Sequence, residues 1–202
     1  MKKPVIGLML GDVTGIGPEI SARLLASGTA SEIANVVVIG DKRVLDLGIK
    51  NAGVKLGYHA VASVDAIRWP SETLPVIDLG NIDPARFKQG VASAESGRLT
   101  GDTLKHMIDL ALLRKIDGIC FAPLNKGAMH QGGWKFNDEH QMFAKLTDHS
   151  GFFGEMNVIK EFSTFRVTSH VALREAVNLV TPERIESAIR LAGVARDRVV
   201  VS

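Results

Sequence analysis

The sequence predicts an α/β fold, with a mostly parallel sheet flanked by helices. Three observations carry that expectation. Short, nearly continuous apolar runs recur along the chain, as strands buried on both faces require. Segments with apolar residues at helical spacing lie between them. Glycine, proline and capping residues punctuate the joins, and strands alternating with helices are the pattern of parallel βαβ units.

Val5 to Leu10 is the first apolar run, and Gly11 ends it. Pro18 follows where the first turn of a helix tolerates it, because its missing N–H would have no partner there anyway. Val36 to Ile39, closed by Gly40-Asp41, is a second strand, and Val76 to Leu79 a weaker third. The spacing predicts a helix beginning near Thr100 to Asp102, with Leu104, Met107, Ile108, Ala111 and Leu112 on one face. Arg114-Lys115 suit the negative end of its dipole. Ile119 to Ala122 reads as another buried strand. Asn137-Asp138 signals a short helix that buries Met142, Phe143 and Leu146 and stops at Gly151. Met156 to Ile159 and Phe165 to Ser169 read as two strands joined by a tight connection. Thr181-Pro182-Glu183 opens a last helix with a cap, a proline at the first position and an acid near the positive end. Ile185, Ala188, Ile189 and Ala192 give it an apolar face, and Gly193 ends it. Arg198 to Ser202 has the composition of a strand just beginning, with little to blunt it as an edge; it is either a real terminal edge strand or the start of a strand in a sequence expected to continue.

Composition narrows the function classes. A net charge of +2, with Lys and Arg spread along the chain, does not suggest a nucleic-acid or membrane partner. Aromatic residues are sparse and form no stacking ladder. Cys120 is the one cysteine, which excludes an intrachain disulfide and favours a reducing compartment. Set between Ile119 and Phe121, it reads as a small core residue rather than a nucleophile. Asp12 cuts the N-terminal apolar run too early for a signal peptide, and no run approaches a membrane span, so a cytoplasmic location is expected.

The chemistry-bearing residues lie at the joins. Gly11, Asp12, Gly15 and Gly17 belong to a loop that follows a strand and opens a helix, Gly-Asp-Val-Thr-Gly-Ile-Gly-Pro-Glu. Such a loop is either a structural strand-to-helix turn or a ligand loop with free N–H groups at the helix start. Its spacing is neither the dinucleotide fingerprint nor a P-loop. Asn125-Lys126 lies just past a strand; Lys126 is either a solvated loop lysine or an attractor for phosphate or carboxylate that Asn125 orients. His140 is either a solvated first-turn residue or a substrate contact. His170 falls near the C-terminal edge of a strand, where open α/β sheets place ligands, yet one histidine makes no metal site. His59, His106, His130 and His149 show no partner pattern.

Four ordered blocks carry a resemblance that spans nearly the whole chain. They are the glycine loop, Ala122-Pro123-Leu124-Asn125-Lys126-Gly127, Asp138-Glu139-His140, and Thr168-Ser169-His170-Val171-Ala172-Leu173-Arg174-Glu175 followed by Thr181-Pro182-Glu183-Arg184-Ile185. In that order and spacing the chain resembles the 4-hydroxythreonine-4-phosphate dehydrogenase family, including its threonate/erythronate 4-phosphate branch. The resemblance implies an isocitrate/isopropylmalate dehydrogenase-like fold of two domains with a cleft. Residues 1–125 would then be the N-terminal portion of the first domain, and 126–202 the incomplete start of the second.

The resemblance also implies an activity: oxidation of a phosphorylated four-carbon hydroxy acid, with hydride transfer to NAD and decarboxylation, in pyridoxine biosynthesis. A divalent metal (zinc, magnesium or cobalt) and a homodimer are implied with it. His170 matches the first of the family's three metal-binding histidines. His140 matches the substrate-contacting histidine of a Gly-His-Thr block, in which Glu139 here replaces the glycine and Gln141 the threonine. Gln141 still donates and accepts hydrogen bonds, but its length reshapes the pocket. Some members carry histidine at the Asn125 position, and the Pro-Leu-Asn-Lys form is more like the sugar-acid phosphate branch. The family's other two metal histidines, a phosphate-contacting region and most of its NAD site lie beyond the position of Ser202. The alternative reading is therefore a catalytically inactive fragment or a binding module. An acyl- or phosphoryl-transferase on a related fold is disfavoured by the four blocks.

Overall fold

A computed structural model of the chain describes residues 3–136, 138–169 and 171–198. Two compact units divide it, Met1–Asn137 and Asp138–Ser202. The first holds a five-stranded sheet of β1 (Val5–Met9), β2 (Asn35–Gly40), β3 (Tyr58–Val61), β4 (Leu74–Asp78) and β5 (Gly118–Phe121). All pairings are parallel and the order is β3-β4-β2-β1-β5. β1 is an interior strand, with Gly7 level with Val37 on one side and Ile119 on the other. Leu8, Met9 and the run Val36 to Ile39 are buried, which is why these strands read as unbroken apolar runs rather than alternating ones. The expected α/β class with a parallel sheet holds.

The described residues of this unit form the α-helices α1 (Gly17–Ser27), α2 (Thr29–Ile33), α3 (Lys42–Ala52), α4 (Ala94–Leu112) and α5 (Lys126–Gln131). Pro18 occupies the first turn of α1, as its position required. Helix α4 starts six residues before the expected Thr100, at a Ser93–Ser96 capping box. Gly97 and Gly101 hide this start, since glycine weakens a helix. Close packing explains both: a Cβ on Gly97 would lie 2.0 Å from the Ala128 carbonyl, and one on Gly101 2.1 Å from the Trp134 ring. Because α5 packs so closely on α4, the first unit runs past the expected boundary at 125/126 and on to Asn137. Leu104, Met107 and Ile108 are buried on α4 as expected, while Leu112 in its last turn is exposed.

The second unit contains α6 (Glu139–Leu146), an antiparallel hairpin of β6 (Met156–Val158) and β7 (Ser163–Phe165), α7 (Leu173–Leu179) and α8 (Pro182–Arg198). Met142 and Ala188 are its buried apolar residues among those described. Helix α6 begins as expected on an Asp138 cap but ends at Leu146 rather than Gly151, with Asp148 in the left-handed region at φ 52°. The hairpin closes where the Ile159 N–H donates to Phe162 O at 3.0 Å. That turn draws the second strand back to Ser163–Phe165, so Thr168 and Ser169 follow the strand instead of ending it. The strand expected to run from Phe165 to Ser169 thus stops at Phe165, and His170, expected near its C-terminal edge, lies outside the described residues. Helix α8 continues through Gly193 and takes in Arg198, the first residue of the expected terminal strand; the remainder of that expectation, 199–202, lies outside the described residues. Ala188 is buried on α8, but Ile185 and Ile189 of its expected apolar face are exposed. Helix α7 carries no periodic signal strong enough to foresee. Among the described residues, no helix is long and apolar enough to cross a membrane.

Candidate functional site

In the first unit the motif residues gather at the C-terminal ends of β1 and β5, between which the sheet order reverses. Open α/β sheets form their ligand crevices at this switch point. The glycine loop leaves β1 and the Pro-Leu-Asn-Lys loop leaves β5, and the Asp12 N–H joins them by donating to Pro123 O at 3.1 Å. Gly11 is in the left-handed region at φ +78°, and a Cβ there would sit 2.5 Å from Pro123 O. A Cβ on Gly17 would sit 2.4 Å from Leu10 O. Close backbone approach thus accounts for both glycines without any ligand. Asp12 is buried, and its Oδ1 accepts from Thr14 N–H and Thr14 Oγ1–H, each at 2.9 Å. Gly15 is exposed at the tip, its N–H donating to Asp12 O at 3.0 Å. Asn125 caps α5, its Oδ1 accepting from Ala128 N–H at 2.9 Å, and Lys126 is the exposed first residue of that helix.

The same sheet edge holds a carboxylate that sequence reading passed over. Asp41 follows β2 as the N-cap of α3, with its side chain fully buried. Burial alone would raise its carboxyl, but hydrogen bonds from Arg43, Ile82 N–H and Arg43 N–H outweigh that and hold it below the usual carboxylate range. Asp78, at the end of β4, is likewise raised by burial and lowered further by Lys42 and the Gly80 N–H, ending below its ordinary value. These groups satisfy one another and brace the edge.

Cys120 departs from expectation. It is exposed, because β5 pairs only with β1 among the described residues and is an edge strand rather than a central one. Local desolvation still pushes its thiol up, the wrong direction for a nucleophile.

The second unit contains a cavity of about 340 Å³ lined by Asp138, His140, Gln141, Arg166, Thr168 and Arg184 among others. Its volume suits a small polar metabolite. Asp138 positions His140 and Gln141 by capping α6, its Oδ1 accepting from Gln141 N–H at 2.8 Å. Glu155 then bridges two elements: Oε1 is 3.4 Å from His140 Nε2, and Oε2 accepts from Arg166 Nη1. Arg166 also reaches Ser169 Oγ at 3.4 Å. Arg184, from the first turn of α8, donates to Val167 O at 3.2 Å and lies over the Phe152 ring, 5.8 Å from its centroid. Glu155, Arg166 and Arg184 were not singled out from sequence. The Glu155–Arg166 pair had a signal only in the hairpin register, since Met156 opposes Phe165 and the residues just outside them face each other. Thus the structure brings His140 and Gln141 together in one cavity, and Asn125 and Lys126 to the other unit's switch point. Among the described residues, no three His, Cys, Asp or Glu side chains converge as a metal site, so these residues do not by themselves fit a divalent ion.

A parallel α/β sheet with motif loops at its switch point, in one chain with a small cavity, is an arrangement with which α/β folds hold small ligands. The chain belongs to the family described as pyridoxal phosphate biosynthetic protein PdxA, whose model matches residues 32–200. It is 37% identical over 95% of its length to a Pasteurella multocida protein provisionally named a 4-hydroxythreonine-4-phosphate dehydrogenase, covering 57% of that protein. It is 35% identical over 97% of its length to the D-threonate 4-phosphate dehydrogenase of Cupriavidus necator, covering 60%. The solved structure of a 4-hydroxythreonine-4-phosphate dehydrogenase from Burkholderia phymatum superposes with a TM-score of 0.88 at 29% identity, over all of this chain and 60% of that one. The chain therefore spans somewhat more than half the length of these relatives, which are dehydrogenases by name. The family resemblance and fold expected from the four blocks are borne out.

Proposed function

We propose that the whole protein is an NAD-dependent dehydrogenase of a small phosphorylated hydroxy acid, with the D-threonate or erythronate 4-phosphate class favoured over 4-hydroxythreonine 4-phosphate. The observation that carries this is the cavity of the second unit, where His140 and Gln141 of the family's substrate block meet Arg166, Arg184 and Thr168. Arginine and histidine side chains suit an acid bearing carboxylate and phosphate. Gln141, Glu139 and Asn125 depart from the hydroxythreonine pattern, and both substrate names occur among the relatives. Lys126 and Asn125, and the loop of Gly11, Asp12, Gly15 and Gly17, are proposed contacts at the switch point.

Oxidation removes a hydride from the carbinol carbon, accepted by NAD, and a proton from its hydroxyl, released to water. The 3-oxo acid so formed loses carbon dioxide, and a proton takes its place on carbon. Within this scheme the chain's own residues bind and orient. Asp138 holds the first turn of α6 in place, Glu155 restrains the His140 ring, and Gln141 offers an amide to a hydroxyl or phosphate oxygen. Divalent-metal dependence rests on the family, with His170 the proposed ligand; zinc, magnesium or cobalt would supply Lewis acidity at the reacting oxygen. A homodimer and a cytoplasmic setting belong to the same proposal.

The test is formation of reduced NAD by the purified protein with D-threonate 4-phosphate and 4-hydroxythreonine 4-phosphate assayed side by side. The outcome also separates the alternative of a binding module, which would bind these acids without reducing NAD. No reduced NAD with either acid would refute the dehydrogenase reading.

A further inference from the structure

We propose that Arg184 anchors the oxyanion of the acid bound in the second unit's cavity and is a specificity-determining residue of that site. The inference rests on the reading that this cavity takes a small phosphorylated acid. Charge accounting separates Arg184 from the other basic groups. Arg166 is engaged by Glu155 and Ser169, and His140 lies between Glu155 and Asp138, 3.4 and 3.8 Å from their oxygens. Arg184 has no carboxylate partner among the described residues. Its guanidinium makes one hydrogen bond among the described residues, to Val167 O, and rests on Phe152. Its Nε is buried with no acceptor.

Arg184 lines the cavity as a cation that no carboxylate among the described residues balances, and an anion entering there gains a charge-assisted contact stronger than a neutral one. The guanidinium is already fixed for the task. The Val167 carbonyl holds one edge and the Phe152 ring holds the face, so little side-chain entropy remains to be lost on binding. Its backbone is fixed too, with Arg184 N–H donating to Thr181 Oγ1 at 3.3 Å in the first turn of α8, where the helix dipole favours negative charge. Carboxylate and phosphate share this chemistry, and the substrate class carries both.

The experiment is calorimetric titration of the 202-residue chain with D-threonate 4-phosphate, D-threonate and inorganic phosphate, comparing wild type with R184M and R184K. R184M is expected to weaken D-threonate 4-phosphate binding by about 10- to 100-fold, the loss of one or two charge-assisted hydrogen bonds. R184K is expected to recover part of it, since lysine restores the charge but not the planar fork. Weakening shared with D-threonate assigns the carboxylate to Arg184, and weakening shared with inorganic phosphate assigns the phosphate. Either result supports the anchor. Unchanged affinity in R184M overturns it, as does a wild-type chain that binds none of the three. Should R184M fail to fold, R184Q carries the same expectation. Binding that depends on Arg184, with no reduction of NAD by the whole protein, removes the dehydrogenase reading and leaves the anchor. NAD reduction with an unaltered KM in R184M removes the anchor alone.

Discussion

Replacing Asp41 with alanine removes the most heavily used buried carboxylate of the first unit. Its oxygens accept from Ile82 N–H at 2.8 Å, Arg43 N–H at 3.0 Å, Arg43 Nε–H at 2.9 Å and Arg43 Nη2–H at 2.8 Å. The Arg43 N–H bond is the N-cap of α3, and its loss costs about 1 kcal/mol. Ile82 N–H, facing a buried position, is left without an acceptor at a cost of about 1–3 kcal/mol. Arg43 adds little, because its side chain is 43% exposed and can turn to water or to Asp83. The total is about 2–4 kcal/mol, or a fall in Tm of roughly 5–15 °C for a chain of this size. Urea denaturation followed by circular dichroism measures it, with Asp41→Asn expected to lose less because one acceptor oxygen remains. The pH dependence gives a second reading with a definite sign. The folded carboxyl titrates below its unfolded value, so its contribution is fully present above the unfolded pKa of about 3.9 and disappears as pH falls through the folded one. The gap between wild type and Asp41→Ala should therefore narrow in the acid range below that value. A cost under about 0.5 kcal/mol at neutral pH would refute the reasoning, since that is the range of a surface change with no structural role.

Gly97→Ala drives a methyl group into the Ala128 carbonyl, and the overpacking should cost about 1–3 kcal/mol or more in urea melts; a neutral or stabilising effect would contradict the packing of α5 on α4. His140→Ala is expected to raise KM for the phosphorylated acid by about 10-fold or more with a smaller change in kcat, which steady-state kinetics reports directly. Glu155→Ala leaves Arg166 and His140 without their shared carboxylate; its cost in stability should stay below about 1 kcal/mol because the pair is half-exposed, and a larger loss would show a structural role. Cys120 should react with iodoacetamide more slowly than a free cysteine at the same pH, with the rate rising through a midpoint above the ordinary thiol value.

The strands were legible because burial on both faces leaves unbroken apolar runs, and β1, β2 and β4 appeared where Val5, Val36 and Val76 announced them. The starts of α6 and α8 were legible from their caps, Asp138 and Thr181, since capping is a local property. What stayed hidden depends on contacts across the chain. Gly97 and Gly101 look like helix breakers until the Ala128 carbonyl and the Trp134 ring are seen against them. Cys120 looks like a core residue until β5 is known to be an edge strand. The site divides in the same way. The blocks containing His140 and Asn125 stood out as motifs, whereas Glu155, Arg166 and Arg184 carry no local pattern and meet only through the hairpin and the first turn of α8.

The central claim is that the cavity holding His140 and Gln141 binds a phosphorylated hydroxy acid for oxidation by NAD. Reduced-NAD formation from D-threonate 4-phosphate, with wild type and His140→Ala compared under the same conditions, tests it most directly. Wild type is expected to turn the acid over, and the variant to show a raised KM. No turnover of this acid or of 4-hydroxythreonine 4-phosphate, or equal kinetics for the two proteins, would contradict it.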